Sequence, residues 1–177
     1  MKFFYSLILL ALLLAAGCGK NVPPAAASAE DNPSTQTPPK LPTHAQPKLP
    51  TMKIYLGAEV LDAELALTAE QEMTGMMFRT NILDTDAMLF VFPFPQRAAF
   101  WMKNCPESIS AAYISPDGVI QEIHHLEQND TNNVVAATAN IQFVLETSEG
   151  WFARHNVNTG MVIRTERGPL LETFFKR

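Results

Sequence analysis

Across residues 51–177 apolar and polar positions alternate over short stretches. Met52-Lys53-Ile54-Tyr55-Leu56 alternates, Gly57-Ala58 turns, and Val60 to Leu67 returns as a second strand. Thr68-Ala69-Glu70-Gln71 has capping-box spacing: Thr68 can bond the N3 amide while Gln71 reaches back. Glu70 and Glu72 suit the positive end of that helix dipole. Ala69, Met73, Met76 and Met77 fall at helical spacing, so an apolar helix face is expected, with Gly75 inside the helix to allow close packing. Ala87 to Phe92 reads as a buried strand ended by Pro93 and Pro95, and Ala98 to Met102 as another. Ala111–Ile114 and Val119–Leu126 flank Ser115-Pro116-Asp117-Gly118, a hairpin signal in which Pro presets the turn and Gly accepts positive φ. Further on, Ile141-Phe143-Leu145 alternates with Gln142 and Glu146. Ser148 to His155 reads as a short helix, and Asn158-Thr159-Gly160 turns into Met161–Arg164. Strands of this length and spacing predict a mainly β, sandwich-like or barrel-like single domain with one or two short helices.

The pattern before residue 51 is different. Lys2 precedes an apolar run from Phe3 to Leu14 broken only by Ser6, and Ala15-Ala16-Gly17 supplies small residues for cleavage. The run falls short of the roughly 20 apolar residues that span a bilayer, so residues 1–17 read as an export signal peptide. Leu14-Ala15-Ala16-Gly17-Cys18 resembles the bacterial lipobox, which implies lipidation at Cys18. Two or three acyl chains, at about 0.8 kcal/mol per buried CH₂, anchor a protein stably. Gly19, in place of Asp, implies by the same resemblance an outer-membrane lipoprotein facing the periplasm. Residues 19–50 then carry eight of the 13 prolines among Ala, Ser, Thr and Gln. Such a stretch buries too little to offset its own ordering entropy, so residues 18–50 read as a lipidated cysteine followed by a disordered tether. Fully extended in polyproline II, the tether would reach ~100 Å.

Charge and cysteine content narrow the function. Residues 51–177 hold 9 basic and 16 acidic side chains, a net −7, which disfavours a nucleic-acid partner. One cysteine, Cys105, remains there, so no disulfide staples the domain.

Three blocks in order resemble the family known as domain of unknown function 192. They are Glu72-Met73-Thr74-Gly75-Met76-Met77-Phe78-Arg79; Ala87-Met88-Leu89-Phe90-Val91-Phe92 with Phe100-Trp101-Met102-Lys103-Asn104; and Phe143-Val144-Leu145-Glu146 with Gly150-Trp151-Phe152 and Gly160. The blocks span roughly residues 53–165. The resemblance implies a β-rich sandwich- or barrel-like domain, often behind a signal peptide, and implies no activity. This chain departs from the family pattern with Thr74 in place of the usual Arg, Cys105 where Thr is common, Ser108-Ile109-Ser110 for Pro-Leu-Asp, and Met161 for an Asp after Gly160.

Candidate chemistry centres on Arg79, Trp101, Lys103 and Asn104. Lys103 and Asn104 end an apolar strand and could receive an anionic or carbonyl group, with Arg79 as partner. Against this, Asn104 could cap a turn and Arg79 could pair with a carboxylate. Trp101 and Trp151 could stack on a ligand or fill the core. Met73, Met76, Met77, Met88 and Met102 with His124 and His125 are soft and intermediate donors that suit Cu(I), although methionine is also an ordinary core filler. Adjacent histidines on a strand point to opposite faces and make no joint metal site. Cys105 has no recognisable Cys–His signature, and Glu122, Glu127 and Asp130 read equally well as a solvated strand end. No nucleophile elbow, phosphate loop or dinucleotide fingerprint is present. The sequence-based expectation is therefore a lipid-anchored cell-envelope protein whose β domain binds a partner or small ligand without catalysis or cofactor. The alternatives are an enzyme acting on an envelope polymer and a periplasmic copper handler.

Overall fold

The structure, a computed structural model, describes residues 41–176. The expected signal peptide, Cys18 and most of the expected tether lie outside the described residues. Strands β1 (Thr51–Leu56) and β2 (Glu59–Ala66) form the expected hairpin. Helix α1 (Ala69–Thr74) follows, then β3 (Ala87–Gln96), the short β4 (Ala99–Phe100), β5 (Ile109–Ile114) and β6 (Ile120–Leu126). The chain ends with β7 (Val134–Val135), β8 (Ile141–Ser148), α2 (Trp151–Arg154), β9 (Ile163–Thr165), β10 (Gly168–Pro169) and α3 (Leu170–Phe175). Eight strands form one sheet in the order β10-β9-β1-β2-β3-β8-β5-β6, and β4 pairs with β7. The sheet curls until its ends meet. Ile163 N donates to Gly118 O at 2.7 Å and Ile120 N to Met161 O at 2.9 Å, beside a Val119–Val162 bridge. The mainly β, barrel-like domain expected from the alternation is the fold observed.

Strand alternation sorts the core into two clusters. Ile54, Leu56, Leu61, Ala63, Leu89, Ile114, Phe143 and Leu145 share one face with Trp151 and Phe152 of α2 and Leu170 of α3. Met88, Phe90, Phe92, Ala111, Tyr113 and Val144 share the other. Topology explains why that second face is covered. β2 and β3 pair in parallel, and parallel neighbours need a crossover. The crossover carries α1 and the loop after it across the sheet, so Met76 and Met77 join Ala98 and Met102 over Phe90 and Tyr113.

Local details correct several expectations. The Thr68–Gln71 capping box forms in full, but α1 stops at Thr74. Gly75 is the residue that ends it, at φ 45°, and does not sit inside the helix. A Cβ there would lie 3.2 Å from Phe90 Cζ. β3 runs on through Pro93 and Pro95, because its register to β8 breaks between Val91 and Gln96 and the prolines fall in the break. Ser148 ends a strand, paired with Ile109, so the helix expected over 148–155 shrinks to α2. Of 98–102 only Ala99 and Phe100 pair, with Val135 and Val134. The helices number three among the described residues, since α3 escaped the pattern reading.

Candidate functional site

The covered sheet face holds one polar group out of place. Glu146 sits mid-β8, opposite Met88 of β3 and Ala111 of β5. Alternation with Phe143 and Leu145 gives it a polar position on the outward face of an exposed sheet. The crossover has roofed that face, and every residue of β8 is buried. Glu146 is 4% exposed, and its Oε2 has no hydrogen-bond partner. Burial pushes its carboxyl up to about 8, with Arg79 pulling weakly the other way, so it is mainly protonated at neutral pH.

Glu146 faces a cavity of about 350 Å³. Its lining takes Met73, Gly75, Met76 and Met77 from α1 and the segment after it, Phe90 and Phe92 from β3, and Phe100 and Trp101 from β4 and the residue that follows. Glu72, half-buried, adds a second carboxyl that desolvation raises. Phe100 is the hub of the aromatic side: its ring lies 5.0 Å from Phe90 edge-on, 6.4 Å from Phe92 and 5.8 Å from Tyr113. The volume is at the low end for small-molecule pockets, and the lining, mostly apolar with a few convergent polar groups, is their usual composition.

Two turns hold these walls together. Phe78 N donates to Asn104 O at 2.7 Å, and both residues take left-handed backbone, at φ 62° and 61°. For Phe78, a bulky residue, that conformation is strained and persists only because the surroundings fix it. Met102 N donates to Asp130 O at 2.7 Å and Asn129 N to Cys105 O at 2.9 Å, so the 101–105 turn rests on the turn after β6. From the N-terminal side, Gln46 Nε2 donates to Gln71 O and Gly75 O, capping carbonyls at the end of α1. The end of the Pro-rich stretch thus lies against the roof of the cavity.

The sequence-derived candidates separate. Trp101 lines the cavity, and Lys103 Nζ sits over its ring, 5.4 Å from the centroid. Asn104 supplies the left-handed turn and its carbonyl, with Nδ2 4.0 Å from Met77 Sδ. Arg79 is outside the cavity lining and grips Glu64 with two bonds, at 2.6 and 2.8 Å. Burial opposes ionisation of Glu64, but Arg79 and the Leu49 amide outweigh it and hold the carboxyl below its ordinary range. Trp151 is core, stacked on His155 at 4.3 Å.

Other candidates find plain roles. His124 pairs with Glu122 and packs its ring, tilted, against Tyr113 at 4.7 Å, while His125, on the opposite face, pairs with Glu127. Among the described residues no group of three or more His, Cys, Asp or Glu is placed to hold a metal. Cys105 borders the cavity, but burial pushes its thiol up to about 12, far from a thiolate nucleophile. Glu146 was the functional candidate that pattern reading missed. The pattern carried little signal for it, because the Glu146 face of β8 also bears Gln142 and Ser148 and reads as a solvated face, with Val144 the one apolar residue among them.

Comparison with known proteins agrees with this architecture. The chain is similar to a candidate transcription regulator from Sinorhizobium meliloti 1021, with TM-score 0.63, 23% identity, 68% of this chain and 98% of that one covered. It is also similar to a protein of unknown function from Novosphingobium aromaticivorans DSM 12444, with TM-score 0.60, 27% identity, 64% of this chain and 83% of that one covered. The first likeness shows the fold alone. No curated protein matches the sequence. The family model DUF192, described as Uncharacterized ACR, matches residues 52–165, which takes in α1, the aromatic wall and Glu146. The chain belongs to the DUF192 family.

Proposed function

We propose that this protein is a lipid-anchored envelope component whose β domain binds a small molecule in the Glu146 cavity without chemically changing it. The buried, unpartnered Glu146 carboxyl carries this reading. Leaving a polar atom unsatisfied in an interior costs about 1–3 kcal/mol, and a ligand that hydrogen-bonds it recovers that cost. The apolar walls supply affinity and the one deep polar group supplies orientation. The buried Cys105 thiol, pushed up to about 12, argues against a cysteine nucleophile in this cavity. The lipobox-like Leu14–Cys18 and the Pro-rich stretch behind it support a domain held off a membrane, outer-membrane-attached and facing the periplasm.

The test is native mass spectrometry of protein purified from its own cells, wild type beside Glu146→Leu. A small molecule that travels with wild type and is lost from the variant is the expected result. Wild type that carries nothing and takes up nothing from a cell extract would end the reading. For the anchor, the N-terminal peptide is expected to carry acyl mass on Cys18, and Cys18→Ala is expected to release the protein into soluble fractions. A second reading, Cu(I) handling, has one observation in its favour: Met73, Met76, Met77 and Cys105 all border this cavity. Metal analysis after copper loading decides it, because a stoichiometric ion is required.

A further inference from the structure

We infer that the Glu146 cavity selects an organic cation, an ammonium head enclosed by Phe90, Phe92, Phe100 and Trp101 and facing the Glu146 carboxyl. This rests on the small-ligand reading above and names the ligand class.

Apart from Arg97, the electron-rich and acidic groups of the lining share one electrostatic sign. Aromatic faces carry the negative end of the ring quadrupole, and four aromatic side chains border the space. Met73, Met76 and Met77, whose thioethers are soft electron donors, also line the space. The acidic groups are the buried Glu146 and the half-buried Glu72 of α1. A basic side chain at the wall, Arg97, is exposed at the mouth, and its Nε donates to Ala136 O at 2.7 Å. An ammonium head is attracted by the carboxyls, the sulfurs and any ring face it meets, and Arg97 alone opposes it. Trp101 already holds a cation over its ring, the Lys103 ammonium.

Glu146 lacks an internal partner for the same purpose. The nearest guanidinium, Arg79, is locked to Glu64 by two bonds. The other ionisable groups packed around Glu146 are Tyr113 of β5, Cys105 of the 101–105 turn and Glu72 of α1. Burial first and the Glu146 charge second raise the first two, which keeps them neutral, and burial raises Glu72; none of the three is a cation. His124 of β6 lies beyond Ala111 in the cross-strand row and is paired with Glu122. On binding, the Glu146 carboxylic acid loses its proton to solvent and the resulting carboxylate faces the cation. No bond to the ligand forms or breaks. Because the group titrates near 8, ionising it at pH 7 costs only about tenfold in affinity. Four rings and a desolvated carboxylate outweigh that.

The test is isothermal calorimetry on the full chain with choline and with its neutral carbon isostere, 3,3-dimethylbutan-1-ol. At pH 7 choline is expected to bind at least tenfold tighter than the isostere. Repeating the titration in two buffers of different ionisation enthalpy is expected to show close to one proton released per choline bound. Glu146→Gln is expected to weaken choline at least tenfold and the isostere by far less, so that the preference between the two probes collapses. Phe100→Leu, which keeps the wall apolar, is expected to weaken choline selectively even if the first variant folds poorly. An isostere that binds as well as choline, or choline binding without proton release, overturns the cation assignment and leaves the small-ligand reading standing. Binding of neither probe, in a protein that native mass spectrometry shows to carry another small molecule, also overturns the cation assignment alone.

Discussion

Replacing Glu146 by Gln tests whether a buried acid sets the pH dependence of folding. In the folded chain Glu146 keeps its proton up to about pH 8, against an ordinary value of 4.5. Between those values the native state binds one proton more than the unfolded state. Stability therefore falls as pH rises through that window and is fully present only below it. The slope is about 1.4 kcal/mol per pH unit, which accumulates to about 3 kcal/mol between pH 4.5 and 7. That is a large part of the 5–15 kcal/mol typical of a domain. Glu146→Gln is nearly isosteric and cannot ionise, so it removes this slope and leaves the other groups' contributions in place. Urea unfolding followed by Trp101 and Trp151 fluorescence, at half-unit steps from pH 5 to 8.5, measures it. The difference between variant and wild type is expected to grow steadily with pH in the variant's favour and level off above pH 8. Curves that run parallel across the range would refute the assignment of a protonated, buried Glu146.

Further predictions follow from the elements that support the cavity. Arg79→Met strands Glu64, whose side chain is 6% exposed, and is expected to destabilise by about 3 kcal/mol in denaturant titrations, with Glu64→Leu in the same chain restoring most of the loss. Gly75→Ala forces a side chain into φ 45° against Phe90 and is expected to cost more than about 1 kcal/mol by thermal unfolding while narrowing the cavity. In a Cys18→Ser background, Cys105 is expected to react with a thiol reagent at pH 8 roughly a thousandfold more slowly than an ordinary thiol, and to become fast on unfolding, followed by absorbance.

Local chemistry made much of the fold legible. Thr68 and Gln71 announce the start of α1, and Ser115–Gly118 with its flanking strands announces the β5–β6 hairpin, because each signal depends on neighbours in sequence. Gly75 was readable as special, but its role was not. Only the packed Phe90 ring and the φ value show that it ends the helix and shapes a cavity wall. The same limit applies to the site. Trp101 and Lys103 come from the most distinctive run in the chain and meet as a ring and a cation. Arg79 shares a block with Met76 and Met77, yet its guanidinium turns away to a carboxylate fifteen residues upstream. Glu146 looked like an ordinary surface acid because period-two alternation says which face a residue occupies, not whether a crossover covers that face. A parallel pairing of β2 with β3, a non-local fact, decided its environment.

The corner where the sheet closes has a consequence for biogenesis. β1 is held on one side by β2 and on the other by β9, more than a hundred residues later. Until the C-terminal segment arrives, β1 offers a bare row of amides and carbonyls to any passing strand. Such long-range pairing is slow to form, so a chain emerging N-terminus first passes through a sticky half-built state. A product cut short after β8 would be stuck in that state. Losing a few dozen terminal residues would therefore turn a well-behaved globule into a substrate for chaperones and proteases.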